Sequence, residues 1–449
     1  MILAGVDVCR INMSHGKHDD LQAVITHIRN IDEELGTHTA ILADLQGPKL
    51  RVGVMEGDGV MMPDGHEFII TTNETIGTAD KVFMTYQAFP VDVKPGEKIL
   101  MDDGKLEMEV LATNGKDEVR VRVLQGGVLS SKKGVNLPNT RVSLPCLTEK
   151  DLVDLEFVLE QPVDWIGLSF VRSARDIIEL KHFILRAGKS HRVVAKIEKP
   201  EALEDIDAII RETDAIMVAR GDLGVEIPLQ NVPLIQKDLI KRSLYHAKPI
   251  IVATQMMESM ITNSSPTRAE VNDVANAVLD GADAVMLSGE TSVGKHPVLV
   301  IKTMRKIVEQ METSEQIYFR ETEPERNHER FIADSMCFNA ARLAKRVGAE
   351  AIITMTHSGY TAYKISSQRP KGAVFVFTAN RRILSALSLV WGVKCFYYDK
   401  MVSTDHTIAD SKYILKKGGF IKDGDLIINV ASMPIEEKGQ SNMVKLSYA

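Results

Sequence analysis

The chain of 449 residues is short of several things, and each shortage removes a class of protein. No run approaches the ~18 uninterrupted apolar residues of a membrane helix, so nothing in it reads as a membrane span. Only four cysteines occur (Cys9, Cys146, Cys337, Cys395), scattered, with no CxxC pair and no histidines at zinc spacing. That argues against a disulfide scaffold and a structural zinc site, and for reduced thiols. Basic charge is not in excess. The 54 Lys and Arg stand against 61 Asp and Glu, a net −7, which speaks against a nucleic-acid partner but allows a local basic pocket for small anions. The phosphate-binding patterns GxxxxGK[ST] and GxGxxG after a strand are missing, so a nucleotide has to be held by loops and a metal. The opening apolar run is interrupted by Asp7 and Arg10, unlike a signal peptide, and the expected location is the cytoplasm. What is present is 44% hydrophobic and 26% charged residues, enough to bury large cores. The length suggests about three domains.

Over the first 320 residues short apolar runs alternate with amphipathic segments. The runs Val8–Met13, Thr39–Leu45, Trp165–Val171, Arg192–Ile197, Ala215–Ala219, Pro249–Ala253 and Ala284–Leu287 read as strands. Leu21–Leu35, Ala202–Glu212, Val232–His246, Ala269–Leu279 and Val298–Met311 read as helices. This alternation is that of βα units around a parallel sheet. Polar residues close the strands: Ser14, Asp44, Ser169, Lys196, Asp222, Thr254 and Ser288. With one exception they recur about every 30 residues, the period of a (β/α)8 TIM barrel. The exception is the 125 residues from Asp44 to Ser169. Removing one ordinary unit leaves roughly 95 residues, whose turn signals and period-two alternation predict an all-β domain inserted into a βα loop, on the face where barrel active sites lie. The count reaches seven strands where a barrel has eight, and Ile2-Leu3-Ala4-Gly5 reads as the end of a helix; the expectation is a barrel whose first strand is absent from this chain.

A charged, helix-breaking stretch, Glu321–Arg326, reads as a linker. Beyond it a second α/β pattern, too short for another barrel, predicts an open doubly wound α/β domain. The expected layout is barrel at 1–47 and 142–320, inserted β-barrel domain at 48–141, and C-terminal α/β domain at 327–449.

Chemistry gathers at the strand ends. In Ala195-Lys196-Ile197-Glu198 the lysine and glutamate share one face of a strand. Asp222, in Arg220-Gly221-Asp222-Leu223-Gly224, lies one unit further round. Two carboxylates with few other protein ligands suit Mg²⁺ or Mn²⁺ completed by water and substrate phosphates. Arg10, Lys49, Arg51, Lys133 and Arg220 are expected to converge on them, as a transferring phosphoryl group requires. Thr254 supplies a hydroxyl for acid–base help.

Arg10–Gly16, Asp44–Arg51, Lys196–Glu198, Arg220–Pro228, Thr254–Met260 and Ser288–Thr291 occur together in an order that resembles the pyruvate kinase family, along the whole chain. The resemblance implies phosphoryl transfer from phosphoenolpyruvate to ADP, in glycolysis, by a homotetramer. It implies Lys196, Thr254, Arg51 and Arg10 as catalytic residues, with Arg10, Arg51, Ser169, Arg220, Gly221, Asp222 and Thr254 binding substrate. Glu198 and Asp222 would hold the divalent metal; Asn12, His15 and Lys133 would meet the nucleotide when the β domain closes as a lid.

Lys49 stands where the potassium-dependent branch has glutamate, and Leu45 where it has threonine. The chain thus resembles the potassium-independent branch, with the Lys49 ammonium substituting for the monovalent cation, so that K⁺ is not required. In the last domain Thr354–Thr361 is a strand followed by hydroxyls and Gly359 at a helix start, a phosphate cradle; the resemblance implies an effector site there for a phosphorylated metabolite, with Thr356, Ser358 and Thr361 as contacts. Two rivals stand beside this reading: another metal-dependent barrel enzyme acting on phosphoenolpyruvate or pyruvate, which would share the metal carboxylates but need neither the lid nor the Lys49–Arg51 pair, and a catalytically impaired ligand-binding relative.

Overall fold

The computed structural model describes residues 1–14, 16–400, 403–433 and 439–449. Among the described residues, seven strands form one wholly parallel sheet, each hydrogen-bonded to the next in sequence: Val8–Asn12, Ala40–Asp44, Trp165–Leu168, Arg192–Ile197, Ala215–Ala219, Ile250–Ala253 and Ala284–Val285. The sequence expectations for these strands extend one to three residues further at some ends, where apolar residues continue beyond the last sheet hydrogen bonds. The opening Ile2–Ala4 is a 3₁₀ turn ended by Gly5.

Period two sorts each strand into two faces. Ile41, Ala43, Ile166, Leu168, Val193, Ala195, Ile216 and Val218 pack outward among the helices. Ala40, Leu42, Trp165, Val194, Ala215, Met217, Ile251 and Ala253 form a second, inner cluster. Asp44 and Lys196 have the parity of Leu42 and Val194, so the strand geometry carries them to the inner face at the C-terminal ends. Ala386 and Leu389 of the last domain join that inner cluster, and Trp165 Nε1 donates to the Ala386 carbonyl over 3.1 Å. The N-terminal end of the barrel is therefore covered by the last domain.

The segment expected as one helix over Ala202–Glu212 is two, Pro200–Glu204 and Ile206–Glu212. Asp205 breaks it: its carboxylate accepts the Ala174 N–H at 2.8 Å, at the start of the helix Ala174–Arg186. Between Asp44 and Trp165 a mostly antiparallel six-stranded sheet, ordered Val135–Asn136, Lys98–Met101, Leu106–Thr113, Glu118–Gln125, Glu67–Thr71 and Lys81–Phe83, encloses its own core of Val, Ile, Met and Phe. The stretch Glu321–Arg326 is irregular but anchored, through Thr322 to Gln368 and Glu321 to Lys345.

In the last domain four parallel strands run in the order Val393–Tyr397, Ala373–Thr378, Ala351–Met355, Leu426–Ala431. A fifth, Met443–Tyr448, pairs antiparallel with Leu426–Ala431. The sequence reading left this tail without a strand; it is a half-exposed edge carrying Lys445, so the apolar alternation that marks the other strands is weak. No described helix is long and apolar enough to cross a membrane.

Candidate active site

Four neighbouring strand ends bring their side chains together around Lys196. Its ammonium lies 3.1 Å from Asp44 Oδ1 and 3.0 Å from Glu198 Oε1, and donates to Ser169 Oγ at 2.7 Å. All three ammonium protons are thus directed, which fixes the group's position. Ser169 Oγ in turn donates to the Leu45 carbonyl at 2.7 Å. Arg10 reaches Asp44 Oδ2 at 2.6 Å from the first strand. Asp44 and Glu198 are each 1% exposed and Lys196 9%.

The two carboxylates differ in what surrounds them. Burial pushes the Asp44 carboxyl up, but Lys196 and Arg10 together hold it below the usual range. Burial also pushes Glu198 up. It shares Lys196 and accepts the Phe170 N–H at 2.8 Å, yet the nearby Asp222 charge adds to burial and its pKa stays raised. Burial works against the Lys196 charge, Asp44 and Glu198 more than offset it, and the ammonium is stabilised. Glu198 thus faces a second carboxylate, that of Asp222.

Backbone strain helps to shape this end. Phe170, which delivers its N–H to Glu198, has φ 54°. Thr254 and Gln255 are consecutive at φ 70° and 53°, unusual for a β-branched residue. The Gly221 N–H donates to Thr254 Oγ1 at 2.7 Å, and that hydroxyl donates to the Ala253 carbonyl at 2.6 Å. Arg220 holds the strained turn by donating to the Ala253 and Thr254 carbonyls at 3.2 and 2.6 Å, and pairs with Asp273 at 2.7 Å.

The expected convergence of five cations is corrected in part. Arg10 joins the cluster, but Arg220 is committed to the neighbouring strand end. Lys133 pairs with Asp102 at 2.8 Å inside the inserted domain, and Arg51 donates to the Lys132 carbonyl at 3.1 Å at that domain's base. Lys49 is exposed, and among the described residues no carboxylate lies within 4.0 Å of its ammonium. It lines a cleft between inserted domain and barrel together with Asp222, Phe170, Lys199, Asn136 and Asp103. Asn12 accepts the Ser14 N–H in a local turn, and His15 lies outside the described residues.

Among the described residues no three His, Cys, Asp or Glu side chains gather as a metal cage. Glu198 and Asp222, two like charges with one a fully buried carboxylate, fit a hard divalent cation that takes its other ligands from water and phosphate. The sequence marks Asp44 as a strand end and as the carboxylate of the Asp44–Arg51 motif, but not as the partner of Lys196 and Arg10. Sequence reasoning missed Lys199, Glu226 and Asn136, described below, since nothing local marks a contact across 90 residues.

At the other candidate site, Thr356 Oγ1 accepts the Gly359 N–H at 3.1 Å and Ser358 Oγ the Tyr360 N–H at 3.4 Å. Gly359, at φ 85°, starts the helix Tyr360–Ser367. Thr361 is buried against Ser441 at 2.9 Å. The loop's own hydroxyls occupy the first two amide donors of this turn.

Residues 1–301 match the family "Pyruvate kinase, barrel domain" and residues 334–447 "Pyruvate kinase, alpha/beta domain". The chain is similar to the pyruvate kinase of Corynebacterium glutamicum, 43% identical over 442 residues covering 98% of this chain and 91% of that one. It is similar to that of Geobacillus stearothermophilus, 41% identical over 447 residues, 99% and 76% of the two chains. A crystal structure of a pyruvate kinase from Cryptosporidium parvum superposes with a TM-score of 0.93 at 33% identity, covering 100% of this chain and 92% of that one.

Proposed function

Given that this chain belongs to the pyruvate kinase family and is a phosphotransferase, we propose that it moves the phosphoryl group of phosphoenolpyruvate to ADP without requiring K⁺, and that a phosphorylated metabolite regulates it through the last domain. The P–O bond to the enolate oxygen breaks, a bond from phosphorus to the ADP β-phosphate oxygen forms, and the enolate carbon takes a proton to give pyruvate. The observation that carries the site assignment is the fixed Lys196 ammonium between Asp44 and Glu198 at the barrel mouth. It faces developing charge on the phosphoryl and enolate oxygens from a site already organised for it.

Glu198 and Asp222 would hold Mg²⁺ or Mn²⁺, which supplies Lewis-acid charge to the phosphoryl oxygens when bound. Arg10 and Arg51 bind phosphate oxygens, with Ser169 orienting Lys196. Gly221, Asp222 and Thr254 bind the substrate, Thr254 over the enolate face, and Arg220 acts by fixing the Thr254 turn. Thr254 gives its proton to the Ala253 carbonyl, so its part in protonating the enolate is to steer a water rather than to donate directly. Residues 48–141 close as a lid, bringing Lys133 to the nucleotide beside Asn12 and His15 and excluding water from a hydrolysable group.

Potassium independence is supported by Lys49, whose ammonium lines the same cleft as Asp222. Pyruvate formation with Mg²⁺ should be equal with and without K⁺, and Lys49→Glu should acquire a K⁺ requirement. A Lys49→Glu enzyme indifferent to K⁺ removes this reading. Regulation is proposed at Thr356, Ser358 and Thr361, for a sugar or nucleoside monophosphate. No change in phosphoenolpyruvate affinity on titrating either would refute it. The proposed homotetramer is checked by sedimentation.

A further inference from the structure

Behind the metal carboxylates lies a second buried charge that the reaction does not use. Glu226 ends the helix Arg220–Glu226 that carries Gly221 and Asp222, and its side chain is 1% exposed. Its Oε1 accepts from Lys199 Nζ and from Asn136 Nδ2, both at 2.7 Å. Its Oε2 is buried and, among the described residues, has no hydrogen-bond partner. Three segments meet at this carboxylate. Lys199 follows Glu198 in the chain; Glu226 shares a helix with Asp222; Asn136 belongs to the inserted domain, in the strand Val135–Asn136.

Lys199 and Asp222 line the same cleft. A lysine ammonium is a compact charge on a flexible stem, and it competes with a divalent cation for any carboxylate within reach. Lys199 adjoins Glu198 in the chain and lines the cleft with Asp222, and its ammonium is held on Glu226, the carboxylate the metal would not need. A buried carboxylate with one oxygen unpartnered is costly unless its charge is put to use.

We propose that Glu226 is a positioning residue that holds Lys199 off Glu198 and Asp222, keeping the divalent-cation site open, and ties that site to the inserted domain through Asn136. The inference rests on the assignment of Glu198 and Asp222 as metal ligands.

Direct Mn²⁺ titration by calorimetry, on the whole chain without substrate, tests both. Asp222→Asn should lose Mn²⁺ binding. Glu226→Gln keeps the size and one amide contact but frees Lys199. Its Mn²⁺ affinity should fall about ten- to hundredfold, the range for partners that orient metal ligands. Adding Lys199→Met to Glu226→Gln should restore most of the loss, a rescue that a merely structural role would not give. Asn136→Ala should leave Mn²⁺ affinity unchanged while raising the KM for phosphoenolpyruvate. Unchanged Mn²⁺ affinity in Glu226→Gln, or no rescue in the double variant, overturns the proposal while Asp222→Asn still fails to bind. Normal binding by Asp222→Asn overturns the metal-ligand assignment instead. Should Glu226→Gln not fold, Lys199→Met alone decides: it must bind Mn²⁺ at least as tightly as the unaltered chain, and weaker binding overturns the proposal.

Discussion

At the N-terminal end of the barrel, Asp164, Asp214 and Asp283 each stand one residue before a strand and accept a backbone N–H from the strand beside it. Ile41, Val193 and Ile250 are the donors, at 2.7, 2.9 and 3.1 Å. Each carboxylate also meets a cation: Arg29 at 2.7 Å, Lys181 at 3.1 Å and Arg369 at 3.1 Å. The last domain docks on two of the three, Ser385 donating to Asp164 and the Trp391 N–H to Asp283. At the opposite end Asp44 and Glu198 are more deeply buried, take no N–H from a strand start and share a lysine between them. The ingredients are alike and the stoichiometry differs. At one end each of these three carboxylates is matched to a cation and to a strand edge; at the other Asp44 and Glu198 share Lys196, and Glu198 faces the Asp222 carboxylate. The unmatched end is the one that can bind a cation and an anionic substrate, in keeping with the division of labour between the two faces of such barrels.

The comparison is broken most severely by Lys196→Met. Removing a fixed charge aimed at the reacting oxygens should lower kcat by about 10²–10³. The fold should survive, because Asp44 retains Arg10 and Glu198, already raised, takes up a proton. Steady-state kinetics with a thermal melt of the same preparation checks both halves. A kcat within tenfold of the unaltered enzyme would mean that the mouth's charge is structural like that of the far end.

Asp283→Ala is the reciprocal change. It leaves Arg369, buried with its guanidinium also donating to the Gly281 carbonyl at 2.7 Å, without a carboxylate, and orphans the Ile250 and Trp391 N–H groups. Breaking one side of a buried pair costs about 3–5 kcal/mol. Tm should drop by several degrees while kcat at 25 °C stays close to normal. Lost activity without a shift in Tm would show that the two ends are not separable.

The same contrast explains what could be read in advance. The mouth was legible because polar residues that end an apolar run at a fixed period stand out: Asp44, Ser169 and Lys196 lie within the cluster and Thr254 two strands from it. Lys196 and Glu198 needed only strand parity to be placed on one face. The far end was just as regular, an aspartate before Trp165, Ala215 and Ala284, but an acid before a strand reads as a turn residue until its partner strand is known. Arg220 was misplaced for a related reason. Sequence shows a cation beside Asp222 but not the Ala253 and Thr254 carbonyls, which lie more than thirty positions away and draw it sideways. Glu226, Lys199 and Asn136 were invisible because their meeting depends on how the inserted domain returns to the barrel. The edge strand Met443–Tyr448 was lost because one of its sides has no core to face.

The smallest expected effect is a pH dependence confined to the far end. His38 and His191 sit where the last domain covers the barrel, and burial lowers the pKa of each below its ordinary value. Asp32 faces His38, and Asp164 and the Gln161 carbonyl face His191, each favouring the charged form. Arg29, Arg381 and Lys394 around the first, and Lys189 and Arg382 around the second, oppose it. A histidine with a lowered folded-state pKa binds protons more readily when unfolded, so its contribution to stability is complete above the ordinary histidine pKa and is lost as pH falls below it. Protonation would add positive charge to a seam already lined by Arg381, Arg382 and Lys394. Tm should therefore fall modestly between pH 7.5 and 5.5, and the slope should flatten in a His38→Gln, His191→Gln double variant. An unchanged slope in that variant would move the titrating groups away from the domain seam.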